Sequence, residues 1–222
     1  MTDLALSTDT VFCRSLVSTG MLTEEQMRHA ALRYRLGRSK DGGVVFWEID
    51  ERQRVRDGKI MYYRDDCHRD KGLKPDWVSS RMKQHYGYDG EIGIERCLFG
   101  LHLLSVECRL HSDLVVAVVE AEKTAVICSE LFPQYLWLAA GGQTMLSVSR
   151  LYPLRDCKVV LFPDTDPEGK TYDGWHGVAE AAQPEFSRPI RVSRILEEHA
   201  TEEQKQRKID IVDLLFETIT TN

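Results

Sequence analysis

The chain has 222 residues, of which 42% are hydrophobic and 29% are charged, and its formal net charge is −6. This composition is ordinary for a globular protein that buries a sizeable core in one large or two small domains. No apolar run approaches the roughly 20 residues that cross a bilayer, so we expect no membrane span. The N-terminus lacks the pattern of a secretion signal, and the six cysteines include no C-x-x-C pair. We therefore expect a cytoplasmic protein with reduced, packed thiols and no structural zinc site.

The charge is unevenly distributed along the chain. Residues 1–103 carry 17 Lys and Arg against 16 Asp and Glu, whereas residues 104–222 carry 12 against 19. From Arg28 to Arg64 there are 10 basic and 5 acidic residues. A basic segment followed by an acidic half suits a protein that binds phosphate with one part and holds a metal with another. Solvated surface charge explains the same pattern, and charge alone favours that simpler interpretation.

Residues 1–37 are predicted to form a helical lead-in. Ser7, Thr8 and Asp9 can cap a first helix. A second helix begins at a capping box, in which Thr23 is followed three residues later by Gln26. Neither helix carries a recognisable catalytic pattern.

Residues 38–105 are predicted to form a small α+β subdomain. The β-rich runs Val44–Ile49 and Lys59–Tyr63 are joined by a polar stretch, which predicts a hairpin. The segment Pro75–Ser80 is predicted to be extended, and a short helix is expected before residue 106.

Residues 106–222 contain two apolar runs that end abruptly in carboxylates. Leu114–Val119 is followed by Glu120, and Lys158–Phe162 is followed, after one proline, by Asp164 and Asp166. A strand-length run without polar alternation is typical of a strand buried on both faces of a parallel sheet. Functional crevices of such sheets lie at the carboxyl ends of the strands. Because three carboxylates at one edge repel one another, we expect a cation among them, and oxygen ligands favour Mg²⁺ or Mn²⁺.

The intervening and following segments predict a parallel α/β sheet with helices on its faces. The expected strands are residues 135–140 and 189–192, and the expected helices are residues 123–132, 144–151, 169–182, 197–208 and 209–219. Glu122 and Lys123 are expected to be solvated residues of a first helical turn.

The ends of three of these strands resemble the toprim domain, which is shared by bacterial primases, topoisomerases and some nucleases. Val118–Glu122 resembles its glutamate motif, Leu138–Gly142 its central turn, and Phe162–Gly169 its Asp-x-Asp motif. The resemblance implies a Rossmann-like parallel sheet flanked by helices, and metal binding or acid/base chemistry by Glu120, Asp164 and Asp166.

The preceding part is similar in order to the bacterial primase catalytic core. Gly58–Ile60, Pro75–Ser80 and Leu98–Leu101 resemble three elements that come before the toprim domain there, and the likeness is greatest to primase-like toprim proteins of bacterial mobile elements. It implies nucleotidyl transfer with Mg²⁺ or Mn²⁺ on a single-stranded DNA or RNA template. It also implies contacts to template or triphosphate from basic residues, for which we predict Arg38, Lys40 and Lys59. A zinc-module or helicase protein is an expected partner.

Three positions depart from the toprim pattern. Ala121 stands where a glycine usually follows the glutamate, Thr124 where an acid is often found, and Glu168 where a small residue precedes the glycine. These departures leave two alternatives open. One is a metal-dependent nuclease that uses the same acids, and the other is a non-catalytic accessory protein that binds single strands.

Overall fold

The computed structural model describes residues 6–87, 93–110 and 113–220. The chain divides into two compact units, residues 1–103 and residues 104–222. The first unit contains an antiparallel sheet and the second a parallel one, each of four strands.

The first unit places two helices before a sheet with strand order β1-β2-β3-β4. Its elements are α1 (Val11–Ser18), α2 (Glu24–Arg33), β1 (Gly37–Arg38), β2 (Val44–Ile49), β3 (Val55–Met61), β4 (Asp76–Trp77), α3 (Val78–Tyr86) and a short 3₁₀ turn (Leu101–Leu103). The core is aromatic: Phe46 packs edge-on against Phe12 and Phe99, with ring centres 5.4 and 5.5 Å apart, and Tyr34 stacks on Phe99.

Local sequence explains most of these boundaries. The capping box of Thr23 and Gln26 is present in both directions, as predicted. The first helix is capped by Thr10 instead of the residues before it, because the Thr10 hydroxyl accepts the Cys13 N–H. Cys13, Cys67, Cys97 and Cys128 are buried, as expected of packed thiols.

Two expectations for the first unit need correction. The hairpin is confirmed, but β3 begins at Val55, because the buried Asp50 carboxylate accepts the backbone N–H groups of Arg52 and Arg54 and closes the turn early. The segment 75–80 is extended only at Asp76 and Trp77; from Val78 it is helical.

The second unit is an α/β sheet with helices between its strands. Its elements are α4 (Leu104–Leu110), β5 (Val115–Val119), α5 (Glu122–Leu131), β6 (Tyr135–Ala139), α6 (Val148–Leu151), a 3₁₀ turn (Tyr152–Leu154), β7 (Lys158–Phe162), α7 (Lys170–Ala182), a 3₁₀ turn (Gln183–Glu185), β8 (Ile190–Val192), α8 (Ile195–His199), α9 (Glu202–Arg207) and α10 (Ile211–Thr220).

The strands of the second unit are all parallel and lie in the order β6-β5-β7-β8. In register, Val119 pairs with Ala139 on one side and with Phe162 on the other, so the three strands end level with one another. From β5 the chain continues to β6 on one side of it, and from β6 it crosses to β7 on the other side of β5. The switch point between β5 and β7 is where ligands bind in sheets of this order. The expected α/β fold, a toprim-like parallel sheet preceded by a smaller α+β part, is confirmed.

Two helical predictions in the second unit were too long. The helix expected over residues 144–151 is only α6, which the Ser147 hydroxyl caps. The charged stretch 197–208 divides between α8 and α9, because Thr201 and Gln204 form a new capping box. Within the described ranges, every helix is too short or too polar to cross a bilayer.

Candidate metal centre

Glu120 and Asp164 come together at the carboxyl edge of the parallel sheet. Val119 and Phe162 are register partners on adjacent strands, so Glu120 lies one residue and Asp164 two residues beyond the same level. Adjacent strands are about 4.8 Å apart. Both side chains are partly buried. Burial first, and then the charges of Asp210, Glu120 and Asp213, raise the pKa of Asp164 well above its usual value. The two acids predicted from the ends of β5 and β7 therefore share one electrostatic environment.

Two further acids of this environment, Asp210 and Asp213, come from the beginning of α10. The Asp210 carboxylate accepts the N–H groups of Val212 and Asp213, both at 2.9 Å, and so caps the helix. The loop after β7 is attached to this segment, because the Thr165 N–H donates to the Ile209 carbonyl at 3.1 Å. Burial, and next the Asp210 charge, raises the pKa of Asp213. This backbone bond holds Asp164 and Asp210 near each other.

Sequence reasoning missed Asp210 and Asp213 as site residues. Both lie in the stretch 209–219, for which the sequence predicts only an amphipathic helix. A usable signal was present: an Asp directly before an apolar helical run is an N-cap pattern, and Ile209 beside it implies a segment that returns to the core.

The departure at Thr124 has a structural explanation. Thr124 is fully buried on α5, and its hydroxyl donates to the second oxygen of Asp210 at 2.5 Å. The toprim pattern often has an acid at the position of Thr124. Here the Thr124 hydroxyl donates a hydrogen bond to an acid from another segment, Asp210. The centre keeps its cluster of carboxylates while one of them is held by a neutral partner.

Asp166 has a different environment from Asp164. Its oxygens accept the backbone N–H groups of Glu168, Lys170 and Thr171 at 3.0, 3.2 and 2.7 Å, which satisfies the start of α7. Burial acts to raise the pKa of Asp166, but the hydrogen bonds, led by that of the Thr171 N–H, lower it to about 2. Asp166 thus shapes the loop that presents Asp164, and its role as a metal ligand stays a prediction.

The turn after β6 completes this edge of the sheet. The Gly141 N–H donates to the Glu120 carbonyl at 2.9 Å, which fixes the backbone that carries the glutamate. Gly141 has φ +90°, and a Cβ there would lie 3.2 Å from the carboxylate of Glu122. Glu122 is 3% exposed, so the expectation of a solvated residue was wrong for it. Lys123 is close enough to lower the pKa values of Asp164 and Asp213.

The donor set fits a small divalent cation that keeps much of its water. Within residues 6–87, 93–110 and 113–220, no three His, Cys, Asp or Glu side chains are grouped so that they could hold a metal ion. Mg²⁺ is usually bound by only one or two carboxylates, with waters and substrate phosphates in its other positions. The partly buried pair of Glu120 and Asp164, in an acidic environment that raises the pKa of Asp164, has this character.

The predicted nucleotide-binding residues all lie in the first unit. Arg38 and Lys40 are exposed around the turn between β1 and β2, and Arg38 lies 3.5 Å from Asp9. Lys59 is partly buried on β3, directly opposite Phe46 and Trp77. Contacts of these three residues to nucleic acid remain predictions.

A buried acid that the sequence did not reveal organises the same sheet. Asp57 is 4% exposed, and its carboxylate accepts both the N–H and the hydroxyl of Ser79 at 3.1 and 2.8 Å. It also pairs with Arg96 at 3.0 Å, whose guanidinium lies 3.2 Å from the ring centre of Trp77. Asp57 therefore supplies the N-terminal cap that α3 lacks in its own sequence, which is why the helix begins at Val78.

Comparison with known proteins assigns the family. A family model described as a domain of unknown function, DUF6371, matches residues 11–165. The chain belongs to the DUF6371 family. The matched part spans most of the first unit and continues through Glu120 and Asp164 to the loop after β7. No curated protein matches the sequence.

Solved structures identify the fold of this DUF6371 protein. The catalytic domain of the DnaG primase bound to single-stranded DNA matches with a TM-score of 0.55 and 14% identity, over 97% of this chain and 78% of that one. The Escherichia coli primase catalytic core gives 0.47 and 16% over 97% and 74%. The primase fragment of the bacteriophage T7 primase-helicase protein gives 0.46 and 18% over 86% and 72%. The first of these establishes a primase-like catalytic-core fold.

Proposed function

We propose that this protein is a metal-dependent, primase-like nucleotidyltransferase that acts in the replication or mobilisation of DNA. The observation that carries the proposal is the convergence of Glu120 and Asp164, together with Asp210 and Asp213, at the switch point of the parallel sheet. Phosphoryl transfer needs positioning and neutralisation of negative charge more than it needs a dedicated nucleophile in the protein. A cluster of carboxylates meets that need when it holds divalent cations.

Glu120 and Asp164 are the residues that would hold Mg²⁺ or Mn²⁺, with Asp166 as a further candidate and Asp213 as an added negative charge beside them. A bound ion would orient the phosphates and neutralise the charge that develops on them. Asp210 is a positioning residue, because its oxygens are already engaged by Thr124 and the start of α10. Burial and the neighbouring acids raise the pKa of Asp164, and a bound cation would offset the repulsion among these carboxylates.

The proposed substrates are nucleoside triphosphates and a single-stranded DNA or RNA template. Arg38, Lys40 and Lys59 are the proposed contacts to template or triphosphate, because cationic side chains supply most of the affinity for phosphate. A zinc-module protein or a helicase is the proposed partner that selects the template.

Synthesis on a defined template tests the proposal. The purified protein is incubated with a single-stranded template, labelled nucleoside triphosphates, and either Mn²⁺ or Mg²⁺. We expect short, template-dependent products whose formation stops in EDTA and in Asp164→Asn. Asp156→Asn is the matched control, because Asp156 precedes β7 at the opposite end of the strand and its side chain is 78% exposed.

Other outcomes distinguish the alternatives. Release of fragments from labelled single strands, lost in Asp164→Asn, would replace synthesis with nuclease chemistry on the same acids. Absence of both products across templates and partners, combined with tight metal binding, would contradict nucleotidyl transfer. Full biological activity of Glu120→Gln and Asp164→Asn would favour the accessory that only binds single strands.

A further inference from the structure

A cleft of about 320 Å³ lies in the second unit, between α7 and the edge strand β8. From the helix it is lined by Tyr172, His176 and Glu180, which are spaced four residues apart on one face. From the other side it is lined by Gln183, Ile190 and Val192. The volume is at the lower end of the range for small-molecule sites and suits a group the size of one nucleoside.

One end of the cleft, near the carboxyl edge of the sheet, is lined by the aromatic ring of Tyr172. Tyr172 lies in the first turn of α7 and is partly buried. Its ring centre is 5.9 Å from that of His176, and the guanidinium of Arg194 lies 5.2 Å from it. Because β8 runs parallel to β7, the Arg194 end of β8 is at the same sheet edge as Asp164.

The edge of β8 is poorly suited to the addition of a peptide strand. The side-chain amide of Gln183 accepts the Ile190 N–H at 2.9 Å and donates to the Arg188 carbonyl at 3.2 Å. These bonds occupy the Ile190 N–H and the carbonyl just before the strand, so an added strand would have to displace the Gln183 side chain. The ring of Tyr172 and the guanidinium of Arg194 instead favour recognition of a ring and a phosphate by side chains.

Two arginines beside the cleft can contact the phosphates of a nucleic-acid strand. Exposed Arg188 and Arg194 flank β8, one before it and one after it. Arg194 pairs with Glu198 at 3.3 Å, but their side chains are 62% and 57% exposed, so a phosphate can replace the carboxylate at little cost. Glu180 is exposed within the cleft and can accept a hydrogen bond from the exocyclic amino group of a base.

We propose that this cleft binds one unstacked base of a single-stranded nucleic acid, with the base against Tyr172 and the adjacent phosphate on Arg194. Aromatic stacking combined with nearby cationic side chains is the general chemistry of single-strand binding. The inference rests on the proposed function and adds to it a contact for the single strand, in a cleft that is separate from the four acids and needs no metal.

Fluorescence anisotropy in EDTA tests the cleft without testing the metal centre. The probe is a 12-nucleotide, fluorescein-labelled, mixed-sequence single strand added to the full chain. Tyr172→Ala is expected to weaken binding by about 5-fold to 150-fold, and Tyr172→Phe to preserve it, since stacking uses the ring. Arg194→Gln is expected to reduce the slope of log K against log salt by about 0.7.

Tyr152 and Arg155 provide a matched control pair. Their guanidinium-to-ring distance is 4.7 Å, both side chains are exposed in the same unit, and neither borders the cleft. Tyr152→Ala and Arg155→Gln should therefore leave the affinity within about 2-fold of wild type. Photocrosslinking of a strand that contains 4-thiothymidine should label a peptide within residues 170–194 in wild type and not in Tyr172→Ala.

Several results would overturn the inference. One is unchanged binding by Tyr172→Ala together with crosslinks outside residues 170–194. Another is equal weakening of binding by Tyr152→Ala. A third is displacement of the labelled strand by polyglutamate as effectively as by unlabelled strand. Equal displacement by a nucleoside monophosphate at the same concentration would assign the cleft to a free nucleotide instead of a strand. If Tyr172→Ala loses thermal stability, Arg194→Gln becomes the deciding variant, because the Arg194 side chain is exposed.

Discussion

The substitution Asp164→Asn should make the metal-free protein more stable and remove its response to metal. In the absence of a cation, Asp164 is a partly buried carboxyl beside Glu120, Asp210 and Asp213, and each like charge makes its ionisation less favourable. The asparagine side chain keeps nearly the same size and removes one of these charges. Stabilising single substitutions commonly increase the free energy of unfolding by about 0.5–2 kcal/mol, and we expect a gain of this order.

Metal should instead favour wild type. Mn²⁺ should stabilise wild type by more than the substitution stabilises the metal-free protein. A ligand at 100 times its dissociation constant stabilises the folded state by about 2.7 kcal/mol. For a chain of 150–250 residues, each 1 kcal/mol changes the melting temperature by about 2–4 °C. We therefore expect Mn²⁺ to raise the melting temperature of wild type by about 5–11 °C and that of Asp164→Asn by far less.

Scanning calorimetry at pH 7, in EDTA and across a Mn²⁺ titration, measures both effects. Asp156→Asn is the control for the loss of one surface carboxylate and should follow wild type in both conditions. If Asp164→Asn is less stable than wild type in EDTA and still gains the full Mn²⁺ increment, the four acids do not form a repulsive, cation-binding centre.

Three other measurements follow from the structure. The stability difference between metal-free wild type and Asp164→Asn should grow as pH rises above 3.8, the usual aspartate pKa, because the pKa of Asp164 is raised in the folded state and its ionisation favours unfolding; urea titrations at several pH values measure it. Asp57→Ala should lower the free energy of unfolding by about 2–4 kcal/mol, because it removes the cap of α3 and leaves the guanidinium of Arg96 unpaired; chemical denaturation measures it. Asp166→Ala should lower the free energy of unfolding by about 1–3 kcal/mol, because the first N–H groups of α7 lose their acceptor; chemical denaturation at pH 7 measures it.

Each of these has a contrary result. A pH-independent difference for Asp164→Asn would mean that neither burial nor the neighbouring acids raise the pKa of Asp164. An Asp57→Ala protein as stable as wild type would show that solvent satisfies Arg96 and Ser79 equally well. For Asp166→Ala, unchanged stability combined with complete loss of metal binding would identify Asp166 as a ligand and not as the cap of α7.

The parallel sheet was predictable because its strands are marked by burial on both faces. Val116 to Val119 and Leu136 to Ala139 are all nearly inaccessible to solvent, so their sequence contains no polar alternation. Strand ends are equally clear where an apolar run meets a carboxylate, as at Glu120 and Asp164. Those two acids were found for this reason, since the ends of parallel strands lie at one edge.

The parts that could not be predicted depend on contacts between distant segments. The cap of α3 comes from Asp57, 22 residues before Ser79, and no local pattern encodes it. Thr124 bonds Asp210 across 86 residues, so neither its burial nor its partner follows from its neighbours in sequence. Asp166 was grouped with Asp164 because they are two residues apart, but backbone donors that a sequence does not display surround only Asp166.

The attachment of Thr165 to Ile209 has a consequence for the order in which the protein is made. All four strands of the parallel sheet are complete at Val192, whereas Asp210 and Asp213 are synthesised later. A chain that ends after Lys208 therefore contains all four strands but only Glu120 and Asp164 of the four acids. Half of the acidic cluster arrives last, so a chain that is cut after Lys208 should keep the sheet and lose affinity for metal.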